Sequence, residues 1–162
     1  MRVPDRAAFA HGLGAALAAP EPAQRVHDLL YSVLTAEPAA WESDEQRLVR
    51  TISERVDVAN GDTTRLLALA RNVQVLLDNA SSLETVALLL EFIAERERLV
   101  GILRKYVQGM ISRAGFLSFV TEQRWPESVR HRVTALSAAD IVDLTTALEQ
   151  SDIAQLETAL VS

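Results

Sequence analysis

The chain has 162 residues, of which 49% are hydrophobic and 23% charged, a composition typical of a globular protein and not of a disordered one. It contains no cysteine, which excludes disulfides, thiolate metal sites and cysteine nucleophiles. Acidic residues outnumber basic ones by 22 to 16, giving a formal net charge of −6, and no apolar run is long enough to span a bilayer. We therefore expect an acidic, soluble, cytoplasmic protein.

The N-terminal segment, residues 1–19, has part of the outline of a secretory signal. It carries Arg2 and Arg6 ahead of an alanine-rich stretch. It also contains His11 and Gly14 and is only weakly hydrophobic. We therefore favour an amphipathic first helix and keep export as the alternative.

Helical periodicity dominates the rest of the chain. Apolar residues recur at spacings of three and four, as in Val26, Leu30 and Val33, and no segment alternates strictly between apolar and polar residues. The sequence predicts an all-α fold, a compact bundle of seven to nine helices, in a single domain of residues 1–162. A division into a main bundle of residues 1–114 and a C-terminal helical appendage of residues 115–162 is the alternative.

Capping signals separate the predicted helices. A Ser or Asp side chain can accept a hydrogen bond from a free N–H at a helix start, and a glycine accepts the left-handed conformation at a helix end. The predicted start signals pair Ser43 with Gln46, Ser81 with Glu84 and Ser137 with Asp140; Asn60-Gly61 marks an end and Asp62 the next start.

One predicted helix lies at the centre of the bundle. Residues 86–90 are apolar on every side, so other helices must surround them. We predict that this central helix covers about residues 83–111, unless it breaks near Gly101. Gly101 and Gly109 share a face on which another helix could approach closely, and Glu91, which interrupts the apolar run, is expected to face solvent or to pair with an arginine such as Arg98.

A weak internal repeat follows. Residues 140–148 match residues 152–160 at a spacing of 12. Two copies are too few for a solenoid, so we interpret them as two similar amphipathic helices.

Charge is segregated along the chain. Residues 96–132, the basic segment, hold 8 basic and 3 acidic residues, whereas residues 133–162, the acidic segment, hold 5 acidic residues and no basic one. Either the acidic segment folds back on the basic one, which we favour, or each meets an oppositely charged partner, including another copy of the chain. The candidate interaction surface is Arg96, Arg98, Arg104, Lys105, Arg113, Arg124, Arg130 and Arg132, with Trp41 and Trp125.

The two tryptophans lie beside predicted loops. Exposed tryptophans often anchor a partner, but beside loops they more often cover a core from the side, which we favour for both. Nucleic acid is an unlikely partner because the chain is acidic and has few aromatic residues between its bases.

No pattern in the sequence indicates catalysis. There is no phosphate-binding loop, no nucleophile elbow and no paired-histidine zinc helix. His11, His27 and His131 lie far apart, and the absence of any Glu-x-x-His excludes a di-iron bundle. We predict no catalytic residue, no cofactor and no bound metal.

Residues 83–107 are similar to part of a known family. An apolar helix ending in the aromatic Phe92 is followed by Arg98, Leu99 and Ile102 in an Arg-x-Leu-x-x-Leu-like start. This resembles the C-terminal part of the effector-associated, death-like helical domains of bacterial conflict systems, which usually have glycine at the position of Glu97. The resemblance implies an adaptor that recruits a partner by homotypic contact and performs no chemistry.

These observations favour a non-catalytic helical adaptor or regulator that binds a protein partner, either itself or another helical domain. One alternative is an immunity or inhibitor protein that covers a toxin with its acidic faces. Another is a small-ligand sensor with a closed apolar cavity between residues 66–77 and 83–94. An enzyme with a site assembled from scattered side chains is the least favoured class.

Overall fold

A computed structural model describes residues 6–34 and 43–161 of the chain. Trp41 lies outside these residues, and so does the side chain of Ser43, on which the first predicted capping box depends.

Ten helices and no strand occur in the described ranges, which confirms the all-α fold. The helix count is one above the upper limit predicted. The helices are α1 (Arg6–Ala18), α2 (Pro22–Leu34), α3 (Ser43–Ala59), α4 (Thr63–Asn79), α5 (Leu83–Ala94), α6 (Arg96–Val107), α7 (Arg113–Glu122), α8 (Glu127–Ala135), α9 (Ala138–Gln150) and α10 (Ile153–Leu160). None of these ten helices is long and apolar enough to cross a membrane.

The predicted central helix 83–111 is in fact two helices, and this accounts for the tenth helix. The break falls at Glu95, whose φ and ψ are −103° and 14°, and not near Gly101. Residue 95 begins a run of four charged residues after the apolar α5.

Gly101 in α6 and Gly109 just after it have different roles, and no described helix approaches either glycine closely, as the sequence suggested one could. Gly101 lies within the helix and is exposed, and a Cβ atom there would meet nothing within 4 Å. Gly109 follows the helix with φ +77°. The N–H of Gly109 donates to the carbonyl of Tyr106 at 3.1 Å, and that of Met110 to the carbonyl of Lys105 at 2.8 Å. These two bonds form the Schellman motif that ends α6.

The backbone groups into two compact units that meet between Ala94 and Glu95. In the first unit, α5 packs against α3 and α4, and α1 packs against α2 and α4. Eight of the 12 residues of α5 are buried: Thr85, Val86, Ala87, Leu88, Leu89, Leu90, Phe92 and Ile93. The predicted apolar centre therefore lies in this unit. The single-domain prediction and its alternative division after residue 114 stay predictions.

Two of the predicted helix boundaries in the first unit are confirmed. Asn60 and Gly61 adopt φ values of +48° and +79°, as expected where α3 ends. Asp62 then accepts hydrogen bonds from the N–H groups of Thr64 at 2.9 Å and Arg65 at 3.2 Å. The side chain of Asp62 thus satisfies two backbone donors that the first turn of α4 leaves free.

The predicted Ser81–Glu84 capping box is wrong by one residue. Helix α5 begins at Leu83, and Ser82 Oγ accepts from the N–H of Thr85 at 3.2 Å. Glu84 instead lies 3.6 Å from Arg47 Nη1, measured to its Oε1 atom. Two adjacent serines offered the same signal, and the helix starts after the second.

The second unit, residues 95–162, packs α6 against α9, α10 against α8 and α9, and α7 against α8. The Ser137–Asp140 capping box is present at the start of α9. Asp140 occupies the third position of that helix, whereas its repeat equivalent Asp152 is the N-cap of α10 and accepts from the N–H of Gln155 at 3.2 Å. The repeat copies are therefore out of register with their helices, as expected for two similar amphipathic helices and not for a duplicated unit.

Replacing Gly101 with alanine should stabilise the protein by about 1 kcal/mol, because α6 gains helix propensity and the new methyl group meets no neighbour. Urea unfolding followed by circular dichroism measures this. The matched substitution Gly109→Ala should destabilise by about 1 kcal/mol, because an alanine there must adopt the left-handed conformation. A loss of stability for Gly101→Ala would contradict this prediction, because it would show that the new methyl group meets a neighbour.

The substitution Asp62→Ala should cost about 1 kcal/mol of unfolding free energy, because the two N–H groups at the start of α4 lose their acceptor. Asp62→Asn is the control and should keep most of this stability, since asparagine caps about as well as aspartate. Equal losses in the two variants would attribute the effect to the charge of Asp62 and not to its capping bonds.

Candidate interaction surface

Two arginines of α6 reach the C-terminal end of α9. Arg96 Nη1 donates to Ser151 Oγ at 2.9 Å. Arg104 forms an ion pair with Glu149 Oε1, and both side chains remain largely exposed, at 56% and 42%. Basic and acidic segments thus contact each other within the second unit, as the favoured interpretation of the charge pattern expected.

Two further arginines donate to backbone carbonyls in the last turns of helices. Arg113 Nη2 donates to the carbonyl of Thr134 in α8 at 2.6 Å, and its Nη1 donates to Tyr106 Oη at 2.9 Å. Arg132 Nη1 reaches the carbonyl of Thr158 in α10 at 3.5 Å. Carbonyls in the last turn have no partner within their own helix, and a cation there is also favoured by the helix dipole. These arginines therefore have structural roles.

Arg98 and Trp125 belong to an aromatic cluster. The Arg98 guanidinium carbon lies 5.3 Å from the centroid of the Phe119 ring. Phe119 in turn meets Trp125 edge-on, with a centroid distance of 6.3 Å. Trp125 is only 8% exposed. As favoured for a tryptophan beside a loop, it covers the core and is not available as a surface anchor.

Three basic residues of the predicted surface make no contact of these kinds. Lys105 and Arg124 are exposed and Arg130 is half-buried. Among the described residues, none of the three side chains has a hydrogen-bond or ion-pair partner. Of the ten residues predicted to form the surface, these are the ones whose charges the fold leaves unused, while Trp41 lies outside the described ranges.

The acidic segment forms a groove that the sequence analysis did not predict. It lies between α9 and α10 and has a volume of about 470 Å³. Its lining consists of Leu136, Asp140, Asp143, Leu144, Ala147, Ala154, Gln155, Thr158 and Ala159. The only sequence signal for this groove was the presence of short side chains, such as Ala147 and Ala159, at positions of the two repeat copies that line it. A similar pattern occurs in many helix pairs, so it did not identify a groove.

A smaller groove of about 220 Å³ lies between α6 and α9. Its lining includes Arg104, Val107 and Val142, and the two valines are 37% and 49% exposed. Because Arg104 already pairs with Glu149, this groove offers mainly apolar contacts.

The titratable side chains do not assemble into a recognisable catalytic or metal centre in the described part of the chain. No group of three or more His, Asp or Glu side chains there could hold a metal ion. His131 lies 3.4 Å from Glu127 on the exposed side of α8, and His27 stacks on Tyr31 with a centroid distance of 6.1 Å. Glu91 is half-buried on α5.

No family model, no curated protein and no solved structure matches this chain. The resemblance of residues 83–107 to death-like adaptor domains therefore stays a prediction.

A double-mutant cycle on Arg104→Gln and Glu149→Gln should give a coupling free energy of about 0.2–1 kcal/mol, the range for exposed ion pairs. The coupling should fall at high salt, because screening weakens the attraction between exposed charges. Urea unfolding of the four proteins at two salt concentrations measures it. The cycle of Arg124→Gln with Glu149→Gln is the control and should show no coupling, because Arg124 has no ion-pair partner among the described residues. An equal coupling there would mean that the effect reflects net charge and not this pair.

Proposed function

We propose that this protein is a non-catalytic helical protein–protein interaction module that acts as an adaptor or regulator. The observation that carries the proposal is the charge separation within the second unit. Helices α9 and α10 contain no basic residue, whereas the unused bases Lys105 and Arg124 belong to α6 and to the connection between α7 and α8. Opposite charges that remain separate and exposed steer oppositely charged partners toward a protein.

The proposed setting is the bacterial cytoplasm, in a conflict or defence system. It rests on the resemblance of residues 83–107 to death-like adaptor domains, for which the partner would be another helical domain. Such a partner is larger than any small-molecule ligand, so charges spread over several helices can all contribute to its recognition.

An immunity or inhibitor protein is the second candidate, and the acidic pair α9–α10 favours it. A helix pair with acidic but no basic residues could cover a basic surface of a toxin. The neighbouring gene distinguishes the two candidates. A toxin gene beside the gene for this protein supports the inhibitor, and a gene for another helical domain supports the adaptor.

The proposal is tested by crosslinking and capture from the lysate of the source cell, followed by mass spectrometry. We expect the wild-type protein to capture a specific partner. Either the double variant Lys105→Glu, Arg124→Glu or the variant Asp143→Lys should lose it, because each reverses charge on the second unit. The control Arg71→Glu, at an exposed base of α4, should retain the partner.

Two results would contradict the proposal. One is the absence of any specific partner at both low and high salt in a strictly monomeric protein. The other is a captured partner whose binding is lost in Arg71→Glu and unchanged in both second-unit variants, because recognition would then lie elsewhere in the chain.

A further inference from the structure

The groove between α9 and α10 has a regular helical lining. On α9 it is formed by Asp140, Asp143, Leu144 and Ala147, at spacings that place all four side chains on one face. Asp140 and Asp143 are exposed neighbours at the start of this face, whereas Leu144 and Ala147 form its buried floor, at 2% and 1% exposure. The accessible apolar lining comes from the half-buried Leu136 and Ala159 and the exposed Ala154, so the two carboxylates lie beside accessible apolar surface.

The opposite wall is made of short side chains. Helix α10 contributes Ala154, Gln155, Thr158 and Ala159. The axes of packed helices lie about 8–10 Å apart, and the distance is shorter where the side chains between them are small. The alanines and the threonine of α10 therefore allow a third helix to come close. At about 470 Å³ the groove accommodates side chains from one face of such a helix.

The charge of the groove restricts what can occupy it. No basic residue lines it, and within the described residues Asp143 has no hydrogen-bond or ion-pair partner. The Asp140 carboxylate accepts only from the backbone N–H of Ser137, at 3.4 Å, among the described groups. An occupant that covered these carboxylates without a positive charge would incur their desolvation cost.

We infer that this groove binds a cationic amphipathic helix of a partner protein. The apolar face of that helix packs on Leu136, Ala154 and Ala159, and its Lys or Arg side chains pair with Asp140 and Asp143. The inference rests on the proposed function and names the chemistry of the partner.

The basic helices of the second unit do not supply such a helix from another copy of the chain. The basic helices of the second unit already bury their apolar residues within it: Leu99, Val100 and Leu103 in α6, and Val129 and Val133 in α8. Releasing either helix would expose that apolar surface at a cost of about 1.5–3 kcal/mol for each large side chain. We therefore assign the groove to a helix of a different protein, and a second copy of the chain is an outcome of the test.

The test selects a displayed library of random peptides of about 14 residues, four helical turns, against the full-length protein. We expect enriched peptides to carry Lys or Arg beside an apolar helical face. Their affinities, measured by fluorescence polarisation, should fall at least tenfold for Ala154→Arg, which fills the groove with a bulky cation. The same substitution at the exposed Ala114 of α7 should leave them unchanged.

A milder variant separates the charge from the shape of the groove. Asp143→Asn keeps the size of the side chain and should weaken the enriched peptides about two- to fivefold at low salt, the effect of one exposed ion pair. This effect should disappear at high salt. Peptides that are acidic, or that bind the wild type and Ala154→Arg equally, would overturn the inference, and so would the enrichment of no peptide.

Two comparisons keep this inference distinct from the proposed function. A partner captured from the lysate whose binding is unchanged in Ala154→Arg overturns the groove assignment and leaves the interaction module standing. Sedimentation that shows a wild-type dimer abolished by Ala154→Arg also overturns it, because the occupant would then be a second copy of the chain.

Discussion

The structure depends on satisfying the backbone groups at many helix ends. The ten helices in the described part of the chain have at most 17 residues each, so a large share of their N–H and C=O groups has no partner inside the helix. Side chains supply the missing partners at the N-termini, as Asp62, Ser112 and Asp152 do. At the C-termini, left-handed residues such as Gly109 and arginine donors such as Arg113 do the same.

This constraint explains which features could be read from the sequence. A cap is local, because the side chain and the N–H that it binds lie within three residues of each other. The caps at Asp62 and Ser137 and the helix end at Gly61 were therefore predictable from spacing alone. The cap was predicted at Ser81 and not at Ser82 because two adjacent serines offered the same signal. The break at Glu95 was missed because no glycine or proline marks the end of the helix there.

The arginine contacts could not be predicted in the same way. Arg113 and Arg132 reach carbonyls 21 and 26 residues away in sequence, and only the packing of α7, α8 and α10 brings these groups together. From charge alone these arginines indicated a binding surface. In the fold, part of the positive charge in the basic segment completes the second unit, and fewer bases are left for a partner than the sequence suggested.

The same distribution of arginine contacts underlies the role that we propose for the acidic helices in binding. Arginine donors interact with α9 and α10 at their ends, through Ser151, Glu149 and the carbonyl of Thr158. None of these contacts involves Asp143, so its charge remains on the wall of the groove. Since a carboxylate beside an apolar groove is stabilised only by water or by an incoming cation, the arginine contacts that hold the second unit together also leave its acidic groove ready for a basic partner.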